Sequence, residues 1–265
     1  MKLVLFTNKG SSWGGQVWSA LKDHQIEIQA VVMIQQPFRY HWRLFRSVQR
    51  RTGLYDALYF SVRRILEDMR ERSRKDDRTR QSRSTVPVLC TRGTNSQETQ
   101  DLLKRLCPDV LLLAQTGVVA RGVLDIPRVG TLNVHPGILP DYRGIDCAKW
   151  AILNREFDKV GVSVHWVEQG VDTGPILLRR VYQFKGAESL ENIGESVYSL
   201  VISMLVEVLS VLQDGAPHSG DPQKLQEGKQ YYKMPRRLEK TAKIRLEEYF
   251  KEIRTTKEEA PTRRM

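Results

Sequence analysis

The chain has 265 residues, a hydrophobic fraction of 40% and a formal net charge of +11. That length suits one fairly large domain, or one domain with a small appendage, and the apolar share is enough for a packed core. Three widely spaced cysteines (Cys90, Cys107, Cys147) argue against a zinc site or a disulfide framework and for reduced, cytoplasmic thiols.

The charge suits nucleic acid, an anionic membrane face, or phosphorylated and carboxylated substrates, without choosing among them. The N-terminal run 2–7 (KLVLFT) reads as a first strand and is too short for a signal peptide. No run approaches the length of a membrane-spanning helix. A turn-former cluster, NKGSSWGG, follows, then helical spacing over 15–24 and a strand-like run over 26–34. Strand, glycine-bearing loop, helix and strand make a βαβ unit, and so a parallel sheet.

Residues 37–84 break the pattern. They hold fourteen Lys/Arg against six Asp/Glu, about eight of the eleven excess charges, with aromatics at helical spacing (Phe38, Trp42, Phe45, then Tyr55 and Tyr59). They predict two basic helices followed by a flexible stretch over 71–84. The alternation then resumes: a strand at 86–90, a Ser-capped helix at 96–107, a continuous apolar strand at 108–115, and a strand at 130–135. Beyond it come a helix over 147–156, two antiparallel strands over 159–168 and 174–184, and a long amphipathic helix opened by Ser189 and closed near Gly215. The tail after Gly220 carries KQYYKMP, an accessory strand or stacking element, and then a charged helix-like segment.

The chemistry concentrates in NVHPGILPDYRG, residues 133–144. Strand side chains alternate, so Asn133 and His135 share a face at the C-terminal end of a parallel strand, where ligands of open α/β sheets bind. Pro136 takes the chain out of the sheet at that point. The amide can hydrogen-bond a carbonyl oxygen that becomes negative, and the imidazole can carry a proton. Such a pair needs a carboxylate. Asp172, in the loop EQGVDTGPIL, is a better candidate than Asp56, Asp141 or Asp146, none of which a strand end anchors on that face. The first loop, Asn8-Lys9-Gly10-Ser11-Ser12, lies at another strand end and suits a phosphate, although it is neither a Walker A loop nor GxGxxG.

Together, NVHPGILPDYRG and GVSVHWVEQGVDTGPIL resemble the folate-dependent formyltransferase family, which includes methionyl-tRNA, glycinamide ribonucleotide and sugar-nucleotide N-formyltransferases. The resemblance implies an α/β fold with a Rossmann-like, mostly parallel sheet. It implies a catalytic domain over 1–215, with 37–84 as a basic helical insertion and 216–265 as a C-terminal extension. It implies 10-formyltetrahydrofolate as formyl donor, no metal, and a primary amine as acceptor. Asn133 and protonated His135 would stabilise the oxyanion, and Asp172 would orient His135 and relay the proton. By the same resemblance, the cofactor would lie against Leu113, Gln115, Gly117, Val118 and Val119 on one side and Glu168, Gln169 and Val171 on the other. Asn8, Lys9, Gly10, Ser11 and Arg143 are the candidates for substrate.

About fifty residues follow Gly215, without the repeated strand pattern of the barrel that helps methionyl-tRNA formyltransferases grip tRNA. By elimination the acceptor expected is an amino sugar, nucleotide-linked. A methionyl-tRNA formyltransferase-like enzyme, a 10-formyltetrahydrofolate hydrolase, and a basic RNA- or membrane-binding protein on the same fold are the alternatives. The insertion leaves open an anionic membrane surface or RNA as a further partner, a cytoplasmic location at the inner membrane face, and a homodimer.

Overall fold

The computed structural model describes residues 1–63, 65–66, 86–186, 188–215 and 219–259. The elements run β1 (Leu3–Asn8), α1 (Ser12–Asp23), β2 (Ala30–Gln35), α2 (Phe38–Thr52), α3 (residues 54–63), β3 (Val88–Arg92), α4 (Gln97–Leu106), β4 (Val110–Ala114) and α5 (Arg121–Leu124). They continue with β5 (Gly130–His135), β6 (Tyr142–Gly144), α6 (Cys147–Leu153), β7 (Gly161–Trp166), β8 (Ile176–Val181), α7 (Ile193–Gln213), β9 (Lys229–Tyr231) and α8 (Arg236–Glu259). Seven strands form one sheet in the order β3-β2-β1-β4-β5-β7-β8. The first five are parallel, β7 runs antiparallel to β5, and β8 runs antiparallel to β7. The fold is therefore the expected α/β class with a mostly parallel sheet.

Both faces of the sheet are covered, which is why β4 is apolar at every position and β1 is apolar from Leu3 to Phe6. Leu3 and Leu5 face one core with Val17 and Leu21 of α1. Val4 and Phe6 point the other way, onto Leu103 of α4 and Val123 of α5. The strand order reverses between β1 and β4, the switch point where open α/β sheets bind ligands at the strands' C-terminal ends. Two bonds tie that point together: the Asn8 amide donates to the Gln115 carbonyl, and the Ser11 hydroxyl donates to Gln115 Oε1 at 2.7 Å.

Several boundaries differ from the sequence reading. β2 begins at Ala30, because 26–29 feed the strand as a connection: Ile26 N–H bonds back to Leu21 O and Gln29 N–H to Leu3 O. α7 begins at Ile193, because Ser189 and Asn192 satisfy each other in a turn (Ser189 N–H to Asn192 Oδ1, 2.7 Å). At 21 residues, α7 is long and apolar enough by length and composition to cross a membrane, which corrects the expectation that no run reaches that length. It lies along the sheet and buries Ile193, Val197, Val201, Met204, Leu205, Val208, Leu209 and Leu212 in the main core, each worth roughly 2 kcal/mol of transfer free energy before entropy is counted.

The insertion begins with two helices, α2 and α3, as expected; the flexible stretch predicted at 71–84 lies outside the described residues. The tail is woven into the main body. β9 pairs with β6 in a small parallel sheet. α8 inserts Ala242, Leu246 and Phe250 into the same core as α7. Asp221 bridges to Ile176 at the start of β8.

Candidate active site

The C-terminal end of β5 carries the two side chains singled out in the sequence. Antiparallel register sets Asn133 opposite His165 of β7 and His135 opposite Ser163. Directly opposed residues share a face of the sheet, so Asn133, His135 and His165 converge. His165 Nδ1–H donates to the Trp166 carbonyl at 2.6 Å. That leaves Nε2 to accept from Asn133 Nδ2 at 3.1 Å.

Asp172 reaches this cluster from the β7–β8 loop. Its Oδ2 lies 3.4 Å from His135 Nδ1 and its Oδ1 3.7 Å from His165 Nε2. The Gly144 N–H donates to Oδ2 at 2.8 Å. Burial works against the Asp172 carboxylate, but the imidazoles of His135 and His165 and the Gly144 amide outweigh it and hold the carboxyl down at about 2. The aspartate is therefore an acceptor at any neutral pH. Its loop is held from the tail, since Gln223 Nε2 donates to the carbonyls of Asp172 (3.0 Å) and Gly174 (2.6 Å). Asp172 itself sits at φ 52°, a left-handed conformation that an L-residue keeps only under such restraint.

His135 is enclosed, with only 3% of its surface exposed. Its Nε2 meets the Tyr142 carbonyl at 2.8 Å and the Cys147 sulfur at 3.4 Å. Burial pushes the imidazole below its ordinary value, while the Asp172 carboxylate pulls the other way. A neutral ring has one N–H and can serve either Tyr142 O or Asp172, not both; the imidazolium serves both. Burial also raises the Cys147 thiol, which stays protonated beside it.

The three acidic residues set aside in the sequence have other partners. Asp141 pairs with Lys159 at 2.8 Å. Asp146 accepts the Met234 N–H and pairs with Lys233. Asp56 is buried and accepts the Arg236 N–H at 3.2 Å. His165 is the participant that sequence reasoning missed. Its one signal was a polar side chain two residues past Ser163 on a buried strand face; the β5–β7 register that aims it at Asn133 is not visible in sequence.

The segments expected to hold the cofactor flank this cluster. Leu113 is the register partner of Asn133 on β4. Gln115 and Gly117 follow at positive φ (59° and 80°), and Tyr40 of α2 closes over Gly117, where an added Cβ would lie 2.9 Å from its hydroxyl. Val118 is exposed and Val119 is buried against the second core. Glu168 and Gln169 are exposed and Val171 is half-buried. Among the described residues, the backbone N–H groups of Gly117, Val118, Gln169, Gly170 and Val171 have no internal acceptor. Exposed amides and apolar side chains on such loops are the kind of groups that bind a flat heterocycle edged with hydrogen-bonding groups.

The substrate candidates are spread out. Asn8 and Ser11 are engaged at the switch point, with Ser11 also capping α1 by accepting the Gly14 N–H. Lys9 and Gly10 are exposed beside them. Arg143 points at the tail, its Nη2 3.5 Å from the Leu225 and Gly228 carbonyls.

The family model described as formyl transferase matches residues 1–209. The chain is 31% identical over 131 residues to the methionyl-tRNA formyltransferase of Pelobacter propionicus, an alignment that covers 49% of this chain and 41% of the relative. The chain thus spans less than half the length of the curated relatives it matches. Among solved structures, a 4-N formyltransferase from Francisella tularensis superimposes with a TM-score of 0.56 at 13% identity, covering 92% of this chain and 87% of that one. A sugar N-formyltransferase from a Shewanella species gives a TM-score of 0.54 at 13% identity, covering 92% and 86%. These last two likenesses are of fold.

Proposed function

The chain belongs to the formyl transferase family, and on that footing we propose that it is an N-formyltransferase moving the formyl group of 10-formyltetrahydrofolate to a primary amine on an amino sugar, nucleotide-linked. The observation that carries the reading is the shared carboxylate of Asp172, set between His135 and His165 with Asn133 bonded into the same chain of groups.

The 113–119 and 168–172 segments would hold 10-formyltetrahydrofolate, which would supply an activated formyl carbon there. Asn133 presents its amide to the side where a carbonyl oxygen gains negative charge. His135 lies behind that position; burial favours its neutral ring, and the imidazolium, from which both the Tyr142 carbonyl and Asp172 would accept, is the form that would add positive charge there as the oxygen becomes negative. Such preorganised donors are worth about 3–4 kcal/mol of barrier each. Asp172, ionised and supported by Gly144 N–H, takes up the proton that the attacking amine must lose, directly or through one water, and passes it to N10 of the folate as the bond from N10 to the formyl carbon breaks. His165 keeps the Asn133 amide turned toward the site by accepting one of its hydrogens.

The amino-sugar acceptor has one support, a fold that aligns almost end to end with a sugar N-formyltransferase. The test is incubation with 10-formyltetrahydrofolate and, in turn, amines, amino-sugar nucleotides and Met-tRNA, read by mass gain of one formyl unit. Gain on an amino-sugar nucleotide supports the reading. Gain on Met-tRNA alone would overturn the acceptor, and formate release without any amine would make the protein a hydrolase.

A further inference from the structure

The basic insertion and the tail face each other across a cleft of about 1010 Å³. One wall is α2, which presents Arg43, Arg46 and Arg50 at helical spacing together with Trp42. The other is β9 and the residues after it, with Trp150 behind. Among the described residues, no Asp or Glu lines the cleft. Among the described residues, Lys233 is the one lining cation with a carboxylate partner, Asp146. The remaining cations (Arg43, Arg46, Arg50, Arg51, Lys229) repel one another in a concavity, where like charges reinforce a positive potential. An arrangement of that kind becomes favourable when a multiply charged anion enters.

The aromatic side chains are fixed rather than loose. Tyr231 lies between Tyr142 (ring centroids 4.8 Å) and Trp150 (5.2 Å). Trp150 Nε1–H donates to the Tyr232 carbonyl at 2.8 Å. The Arg51 guanidinium sits 3.4 Å over the Tyr232 ring, and Arg46 lies 5.3 Å from the centre of Trp42. Planar rings beside guanidinium groups suit a ligand with a flat base and a phosphate chain. The volume matches a small molecule of nucleotide size.

The cleft also abuts the candidate active site. Tyr231 pairs with Gly144 across β6 and β9, and the Gly144 N–H holds Asp172. The three-residue strand β6 thus joins the lining residue Tyr231 to the carboxylate of the candidate site.

We propose that the cleft between α2 and β9 binds the nucleoside diphosphate portion of the acceptor, with Arg46 and Arg50 on the phosphates and Trp42 or Tyr232 against the base. The assignment of that ligand as acceptor rests on the formyltransferase reading; the binding site does not. It gives the basic insertion a role in substrate selection.

The experiment is calorimetry and tryptophan fluorescence on the full chain with UDP, dTDP and GDP. Inorganic pyrophosphate and a short poly-U RNA are separate arms, and 5-formyltetrahydrofolate tests the donor site. At least one nucleoside diphosphate should bind, more tightly than pyrophosphate. Arg46→Glu and Arg50→Glu should each weaken it by about tenfold or more, leaving 5-formyltetrahydrofolate unaffected. Arg39→Glu, on the same helix but outside the cleft, should not change it. The proposal is overturned if no nucleoside diphosphate binds, if pyrophosphate binds as tightly, if RNA alone binds, or if Arg39→Glu weakens binding as much as the cleft variants. Folate binding without nucleotide binding sinks this inference alone; nucleotide binding without folate binding sinks the formyl-transfer reading alone.

Discussion

Asp172 combines a left-handed backbone, a buried carboxylate and two imidazole neighbours, and each feature depends on the others. The φ of 52° turns the side chain back under the loop, and Gln223 and Gly144 hold it there. Asp172→Asn keeps the shape and an acceptor for Gly144 but removes the charge. Formyl transfer should fall by roughly 10²–10³-fold, on the scale of losing one electrostatic stabiliser, with 5-formyltetrahydrofolate binding near normal by calorimetry. Near-normal turnover would remove Asp172 from the chemistry. The same residue shapes acid stability. Its folded carboxyl titrates at about 2, below the ordinary 3.8. Its stabilisation is therefore full above about pH 4 and lost as pH falls toward 2. Denaturant unfolding of the native chain and of Asp172→Asn should differ most above pH 4 and converge below it.

At the scale of elements, β6 is three residues long yet joins the site to the tail. Gly144 has φ 101°, and a Cβ there would lie 2.1 Å from the Tyr231 carbonyl. Gly144→Ala forces β6 and β9 apart and moves the N–H that holds Asp172. The expected cost is roughly 2–4 kcal/mol of stability, with transfer activity lost in proportion to the displaced carboxylate. A melting temperature and turnover both unchanged would show that the pairing is dispensable. Strand existence was readable here because buried strands need apolar residues on both faces and helices need a 3.6-residue stripe: β1, β4, β5, β7, β8, α4 and α7 all followed from that. β6 was not readable, since three residues after Leu-Pro-Asp carry no alternation, and β9 appeared merely as an aromatic-rich stretch.

For the whole molecule, the tail completes the core. Met234, Ala242, Leu246 and Phe250 are buried with α6 and α7, and Lys149 pairs with Glu239 at 2.6 Å. A chain ending at Pro235 should lose cooperative thermal unfolding and bind an apolar dye, because these side chains leave their pockets empty. A truncated chain that melts cooperatively near the native temperature would show that α8 is an appendage. The described part of the insertion is likewise docked: Asp56 accepts from Arg236, and the Arg236 guanidinium lies 4.0 Å from the centre of the Tyr59 ring.

Local chemistry in the sequence determined the α/β class and the order of most elements, and it marked Asn133, His135 and Asp172 as candidates, their roles being what the formyltransferase resemblance implies. Hydrophobic period, caps and the exit of the chain at Pro136 act over a few residues and need no distant partner. Tertiary structure alone decided that His165 joins them, that Tyr40 covers Gly117, and that α2 and β9 enclose a cationic cleft. Each depends on partners distant in the chain: Asn133 and His165 are 32 positions apart, Tyr40 and Gly117 are 77, and Arg51 and Tyr232 are 181. Those pairings are set by the packing of whole layers, and no window of sequence records them.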